Sequence, residues 1–210
     1  MRDSKKVYFE SITMEKIMSG FILILCLISF VKCQSYFSSS CPSPAPIKDF
    51  NITAFTGKWY EVESTRSIFE TFWNCPTTTI SITGEGTEIE RGGYVSLLNR
   101  NFYNRIVRTK LNAPDARRPG RLEFNFPGIT QPLKYVILDT DYDNYALAWS
   151  CYEFGRLGGT LGHFEYIWVL SRHVHTDKEV KQKLYTALDD NGIRRFYITK
   201  NRMDECHSKP

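Results

Sequence analysis

The spacing of apolar side chains divides the chain into three regimes. Residues 21–31 form an unbroken apolar run, residues 57–172 mostly alternate between apolar and polar, and residues 176–190 show a helical spacing. Alternation places successive side chains on opposite faces of a strand. Residues 78–83 set Ile80 and Ile82 on one face. Residues 121–126 alternate strictly, with Leu122, Phe124 and Phe126 opposed to Arg121, Glu123 and Asn125. Residues 133–140 and 145–151 read as strands joined by Asp141, Tyr142, Asp143 and Asn144, a turn composition. Residues 164–172 carry Phe164, Tyr166, Trp168 and Leu170 on one face, with Arg172 in phase. Residues 94–103 and 105–111 are less regular strands, and Gly84–Gly86 and Gly92-Gly93 read as turns.

Thr176 followed by Glu179 predicts a capping box. The helix behind it groups Val180, Leu184, Ala187 and Leu188, and Asn191-Gly192 stops it. Residues 193–199 form a last short strand. About eight strands followed by one late helix predict an all-β fold, a sandwich or a barrel. The aromatic face shared by several strands, and a helix arriving only once the sheet is complete, favour a barrel with the helix outside.

The stretch around which this pattern is organised is residues 47–63. Gly57 permits a tight backbone approach just before a strand that opens on Trp59, whose indole needs a closed pocket and a partner for its N–H. Glu61 and Glu63 share parity with Trp59, which would turn two carboxylates inward. A β-bulge after Trp59 would flip them out; otherwise one is a buried, ligand-facing group.

Lys16 before the run at 21–31, and small or polar residues after it, give the layout of a secretory signal peptide, with cleavage expected near residue 33 and a single domain over 34–210. Residues 1–33 hold five of the 27 Lys/Arg and three of the 23 Asp/Glu, so the mature chain carries 22 and 20. So small an excess argues against a nucleic-acid partner. Cleavage leaves Cys41, Cys75, Cys151 and Cys206, and four cysteines admit three pairings. Their spacing suits neither zinc nor thioredoxin-like chemistry, so two structural disulfides are expected in a secreted, extracellular protein. Asn51, in Asn51-Ile52-Thr53, is the glycosylation sequon.

Gly57-Lys58-Trp59-Tyr60, Thr140-Asp141-Tyr142 and Arg172 resemble, in order and spacing, the three sequence blocks of the lipocalins. Residues 135–151 and 166–172 resemble the branch containing apolipoprotein D, Lazarillo and the bilin-binding proteins. The resemblance implies an eight-stranded antiparallel up-and-down barrel with one C-terminal helix packed outside. It implies a structural base in which Trp59 plugs the closed end under the Arg172 guanidinium and Thr140, Asp141 and Tyr142 form a turn beside it. It also implies the pairings Cys41–Cys151 and Cys75–Cys206.

A barrel of that size holds one small ligand. The inward candidates are Ile80, Ile82, Leu122, Phe124, Phe126, Tyr135, Ile137, Phe164, Tyr166 and Trp168, whereas Trp73 and Trp149 have no reason in the sequence to face the cavity. Departures from the branch at Ile80 and at residues 92–108 and 152–162 keep ligand identity from being carried over. The expected function is a secreted carrier for a small hydrophobic molecule (a fatty acid, a sterol or other lipid, or a bilin), with no required cofactor and no enzymatic turnover. It is expected as a monomer or weak oligomer, open to peripheral lipid or receptor contact. The competing reading is an inhibitor-like lipocalin with a packed barrel, and behind it a haem- or lipid-modifying one with His163 as haem ligand. No catalytic nucleophile or metal set is signalled: His173 and His175 lack a third ligand, and Arg105, Arg108, Arg117, Arg118 and Arg121 read as solvated, favouring a carboxylate ligand only if they rim the mouth.

Overall fold

The computed structural model describes residues 36–37, 40–65, 73–97, 100–126, 128–156, 159–203 and 206. The expected signal peptide lies outside them. Strands β2 (Gly57–Thr65), β3 (Trp73–Thr83), β4 (Gly86–Leu97), β5 (Arg100–Asn112), β6 (Arg121–Phe124), β7 (Leu133–Thr140), β8 (Tyr145–Arg156) and β9 (Gly159–Ser171) each pair antiparallel with the next. β9 then pairs back onto β2 and closes the sheet into an eight-stranded barrel. The short β1 (Tyr36–Phe37) adds to β9 and β10 (Ile198–Lys200) to β2. A one-turn helix α1 (Ile52–Phe55) precedes the barrel, and α2 (Lys178–Asp190) follows it.

Two apolar clusters show which way each strand faces. Trp59, Ile80, Ile89, Val107, Leu122, Phe124, Tyr135, Ile137, Ala148, Trp168 and Leu170 form the interior. Val62, Val136, Leu147, Trp149, Ile167 and Val169 lie on the outer wall, with Leu184 and Leu188 of α2. The alternation read along β7 and β9 therefore holds, and the helix packs where it was expected.

Local readings needed correction. Gly92-Gly93 is not a turn but the middle of β4, so the expected strand over 94–103 straddles the β4–β5 connection. Residues 152–156 and 159–162, a departure from the branch in the sequence, pair with each other as the ends of β8 and β9. The capping box does not form: Asp177 is the N-cap without a side-chain cap bond, and Thr176 Oγ1 is buried without a partner. Gly192, at φ +68°, does end the helix.

The closed end is built around Trp59. Its ring is fully buried 4.9 Å from Phe55, and its Nε1 donates to the Phe55 carbonyl at 3.0 Å. The Arg172 guanidinium lies 3.6 Å over that ring and donates to the carbonyls of Thr56, Lys58 and Tyr142. A Cβ at Gly57 (φ +98°) would come within 3.1 Å of that guanidinium, so the position needs glycine for space as well as conformation. Asp141 accepts from the amides of Asn144 and Tyr145, shaping the β7–β8 turn. Burial opposes its ionisation, but these bonds outweigh it and hold the carboxyl below its usual range. The disulfides Cys41–Cys151 and Cys75–Cys206 tie the segments flanking the barrel to its wall. Arg172→Ala should lower the unfolding free energy by about 1–3 kcal/mol, since it removes the cation–π contact and three carbonyl bonds. Urea denaturation checks this; an unchanged midpoint would show that the base does not depend on the guanidinium.

Candidate functional site

The strand that carries Trp59 also carries the first chemistry above it. Along the β2–β9 ladder Glu61 pairs with Leu170, but Glu63 pairs with Val169, so Val62 is an extra residue on β2. The extra residue reverses the side-chain phase. Glu61 therefore points inward and Glu63 outward. Glu63 receives hydrogen bonds from Lys181, at 2.7 Å, and from Tyr185, and so helps hold α2 against the wall. The bulge falls between the two carboxylates and separates them.

Glu61 is completely buried and accepts from Arg91 Nε and Nη2, both at 2.9 Å, and from Thr78 Oγ1 at 2.6 Å. Thr78 is cross-strand from both Trp59 and Arg91, which puts this group one layer above the plug. Among the described residues Arg91 is the only buried lysine or arginine. A fork-to-fork pair of this kind is net neutral, and the desolvation of both ions is offset by short, charge-assisted bonds.

The Arg91 guanidinium lies 4.6 Å over the Trp168 ring. Tyr135 is 5.4 Å from the same ring, and Tyr166 stacks on it at 6.1 Å and 12°. Burial drives the Tyr135 phenol well above its ordinary pKa, with Arg91 acting in the opposite sense, so it stays a hydroxyl. Trp73 was not expected inside. It pairs with Val95, in phase with Arg91 on β4, and a Cβ at Gly93 would lie 3.0 Å from its ring. The indole thus occupies the interior space that Gly93 leaves.

The expected lining residues separate into groups. Ile80, Leu122, Phe124, Tyr135, Ile137 and Trp168 are buried in the interior cluster, with Phe126 and Tyr166 half-buried against it. Ile80 belongs to the closed end, opposite Gly57. Phe164 is half-buried, opposite Tyr152 and stacked on Phe154. Ile82 does not line the interior: it is 52 % exposed, because β3 runs past the base toward its turn with β4. His163 is on the outer face beside Glu165, whose other oxygen accepts from Trp149 Nε1, so it does not reach the barrel interior as a haem ligand would. Arg105 and Arg108 pair with Glu88 and Glu90 on the outer wall, and Arg117, Arg118 and Arg121 lie at the β5–β6 connection. None of the five rims the mouth. His173 and His175 have ring centres 6.4 Å apart and belong to no group of three metal-capable side chains among the described residues.

Arg91 was missed, although Ile89, Arg91 and Val95 share one parity. Reading Gly92-Gly93 as a turn cut the strand just behind it.

A match to the lipocalin / cytosolic fatty-acid binding protein family spans residues 56–202, from the residue before Gly57 to beyond β10. The chain belongs to this family. Apolipoprotein D of Mus musculus is 30 % identical over 184 residues, covering 86 % of this chain and 91 % of that protein. The bilin-binding protein of Pieris brassicae is 24 % identical over 155 residues, covering 72 % and 77 %. Among solved structures, insecticyanin from the tobacco hornworm Manduca sexta superposes with a TM-score of 0.67 at 22 % identity, covering 82 % of this chain and 91 % of that one, which supports the fold. In this lipocalin the family blocks make the base, and Glu61–Arg91 stands directly above it.

Arg91→Ala, which strands a buried carboxylate, should cost about 3–5 kcal/mol in chemical denaturation. Glu61→Leu with Arg91→Met should recover most of that. A loss below about 1 kcal/mol for Arg91→Ala would mean that the pair is hydrated in solution.

Proposed function

We propose that this lipocalin is a secreted carrier that binds one small hydrophobic molecule inside its barrel by equilibrium capture, without turnover. The observation that carries the reading is the inward Trp168, with Tyr135, Tyr166 and Phe124 in the same interior cluster, above the plugged base. The proposed contacts are Leu122, Phe124, Phe126, Tyr135, Phe164, Tyr166 and Trp168, with Trp73 added; Ile80 and Ile137 serve as packing beneath the ligand. Similarity to apolipoprotein D and to a bilin-binding protein supports a lipid or a bilin as ligand class. Removing about 300 Å² of apolar ligand surface from water yields roughly 7–8 kcal/mol, and immobilisation reduces this to micromolar affinity unless polar contacts add to it.

Secretion is part of the same proposal, supported by the apolar run at 21–31 and by the two disulfides. Asn51 is exposed and caps α1 through Oδ1, whereas a glycan attaches through the amide nitrogen, so capping and glycosylation are compatible.

Titration with a fatty acid or bilin should change the tryptophan emission. Trp168→Phe should remove the larger part of that response and Trp73→Phe much of the rest. The Trp168→Phe protein should still bind, weakened by about 1 kcal/mol, because phenylalanine retains most of the apolar area. A full response in the double variant would put the ligand elsewhere. Absence of binding by wild type would favour a packed barrel that acts through its surface.

A further inference from the structure

Two of the four tryptophans have a partner for the indole N–H and two do not, and the division follows the barrel wall. Trp59 donates to the Phe55 carbonyl and Trp149, on the outer face, to Glu165 at 2.9 Å. Trp73 and Trp168, both on the interior face, have no protein acceptor. Two interior hydroxyls share that condition: Tyr135, and Ser150, which sits opposite Tyr166. Thr78 is the hydroxyl near the Tyr135 phenol; its proton goes to Glu61, and no hydrogen bond joins its oxygen to Tyr135 OH. Buried polar groups in folded proteins are nearly always paired, because an unmade bond forfeits the full desolvation cost. Four such groups on one interior surface therefore mark a place where a bound molecule supplies the missing partner. An indole N–H only donates, so the group that completes the site is an acceptor.

Charge decides which acceptor. Both oxygens of Glu61 are engaged by Arg91, and Thr78 adds a third bond. The pair is neutral, and a carboxylate placed beside it would be an uncompensated anion. Such a ligand would either share Arg91 with Glu61, setting two anions on one cation, or take it from Glu61 and leave that carboxylate buried and unpaired. The arginines at 105, 108, 117, 118 and 121 lie on the outer wall or at the closed end and offer the interior no second cation.

We propose that the barrel takes a neutral amphiphile head first, a ketone or alcohol whose oxygen accepts from Trp168 Nε1 and Tyr135 OH while its chain runs past Tyr166 toward the mouth. The inference rests on the carrier reading and narrows it from hydrophobic ligands in general to those with a neutral oxygen head.

The test is calorimetric titration of the full chain with 2-dodecanone, 1-dodecanol and dodecanoate at neutral pH. The ketone and the alcohol should bind at least about tenfold more tightly than the carboxylate, the difference expected from one well-made buried polar contact. Trp168→Phe should weaken dodecanoate only by the about fivefold that the lost ring area accounts for, and the ketone by about thirtyfold, because it loses the indole hydrogen bond as well. Tyr135→Phe, which removes a single oxygen from an intact aromatic core, should act in the same direction and provides the test if Trp168→Phe does not fold. Dodecanoate binding as tightly as the ketone would overturn the neutral-head inference and leave the carrier reading standing. Ketone affinity unchanged in both variants would overturn the placement of the head. Binding of none of the three would overturn the neutral-head inference, and the carrier reading with it if a bilin also fails to bind.

Discussion

Closing an eight-stranded sheet brings β2 back onto β9, and the ladder accommodates this with an extra residue at Val62. Everything distinctive about the interior follows from where that residue falls. Had the bulge come before Glu61, both carboxylates would face out and Arg91 would be a buried cation without a counter-ion. Without any bulge, both would face in, and two carboxylates would share one arginine. In the observed register Glu61 neutralises Arg91 inside, and Glu63 meets Lys181 and Tyr185 of the helix outside. One backbone irregularity thus sets the charge balance of the interior and the docking of α2.

The base and the wall were legible in the sequence because they rest on short-range chemistry. Trp59, Arg172 and the Thr140–Tyr142 turn announce themselves by residue type, the strand β6 by strict alternation, and β9 by the aromatic residues that share one parity. What sequence reasoning could not reach depends on register. The position of the bulge among three consecutive residues that all suit a strand is fixed by the closure with β9, more than a hundred residues away. Gly92-Gly93 has the composition of a turn, yet Gly93 is small because the Trp73 ring fills the space beside it. Misreading that pair hid both Arg91 and the inward direction of Trp73. Ile82 failed in a different way: its parity was right, but alternation does not say where along a strand the barrel ends.

The interior is therefore layered. Trp59, Phe55 and Ile80 form an apolar plug, the Glu61–Arg91–Thr78 group lies over it with the carboxylate and guanidinium paired, and the rings of Trp168, Tyr135 and Tyr166 stand above. Within that arrangement the Trp59 indole and the Glu61, Arg91 and Thr78 groups are satisfied by protein, and the Trp168 indole and Tyr135 hydroxyl are not. A core packed only for stability would leave fewer donors unmatched, and a pocket for anions would keep Arg91 available. A neutral acceptor meets both conditions.

The four indole N–H groups make this directly measurable. In a ¹H–¹⁵N correlation spectrum each tryptophan gives one resolved Nε1–H signal, and a new acceptor shifts that signal downfield. On saturation with 2-dodecanone the Trp168 signal should move downfield, while those of Trp59 and Trp149, already bonded to Phe55 and Glu165, should stay within the small changes of a passive reporter. Calorimetrically confirmed binding that leaves Trp168 in place, or moves Trp59 and Trp149 instead, would contradict the account.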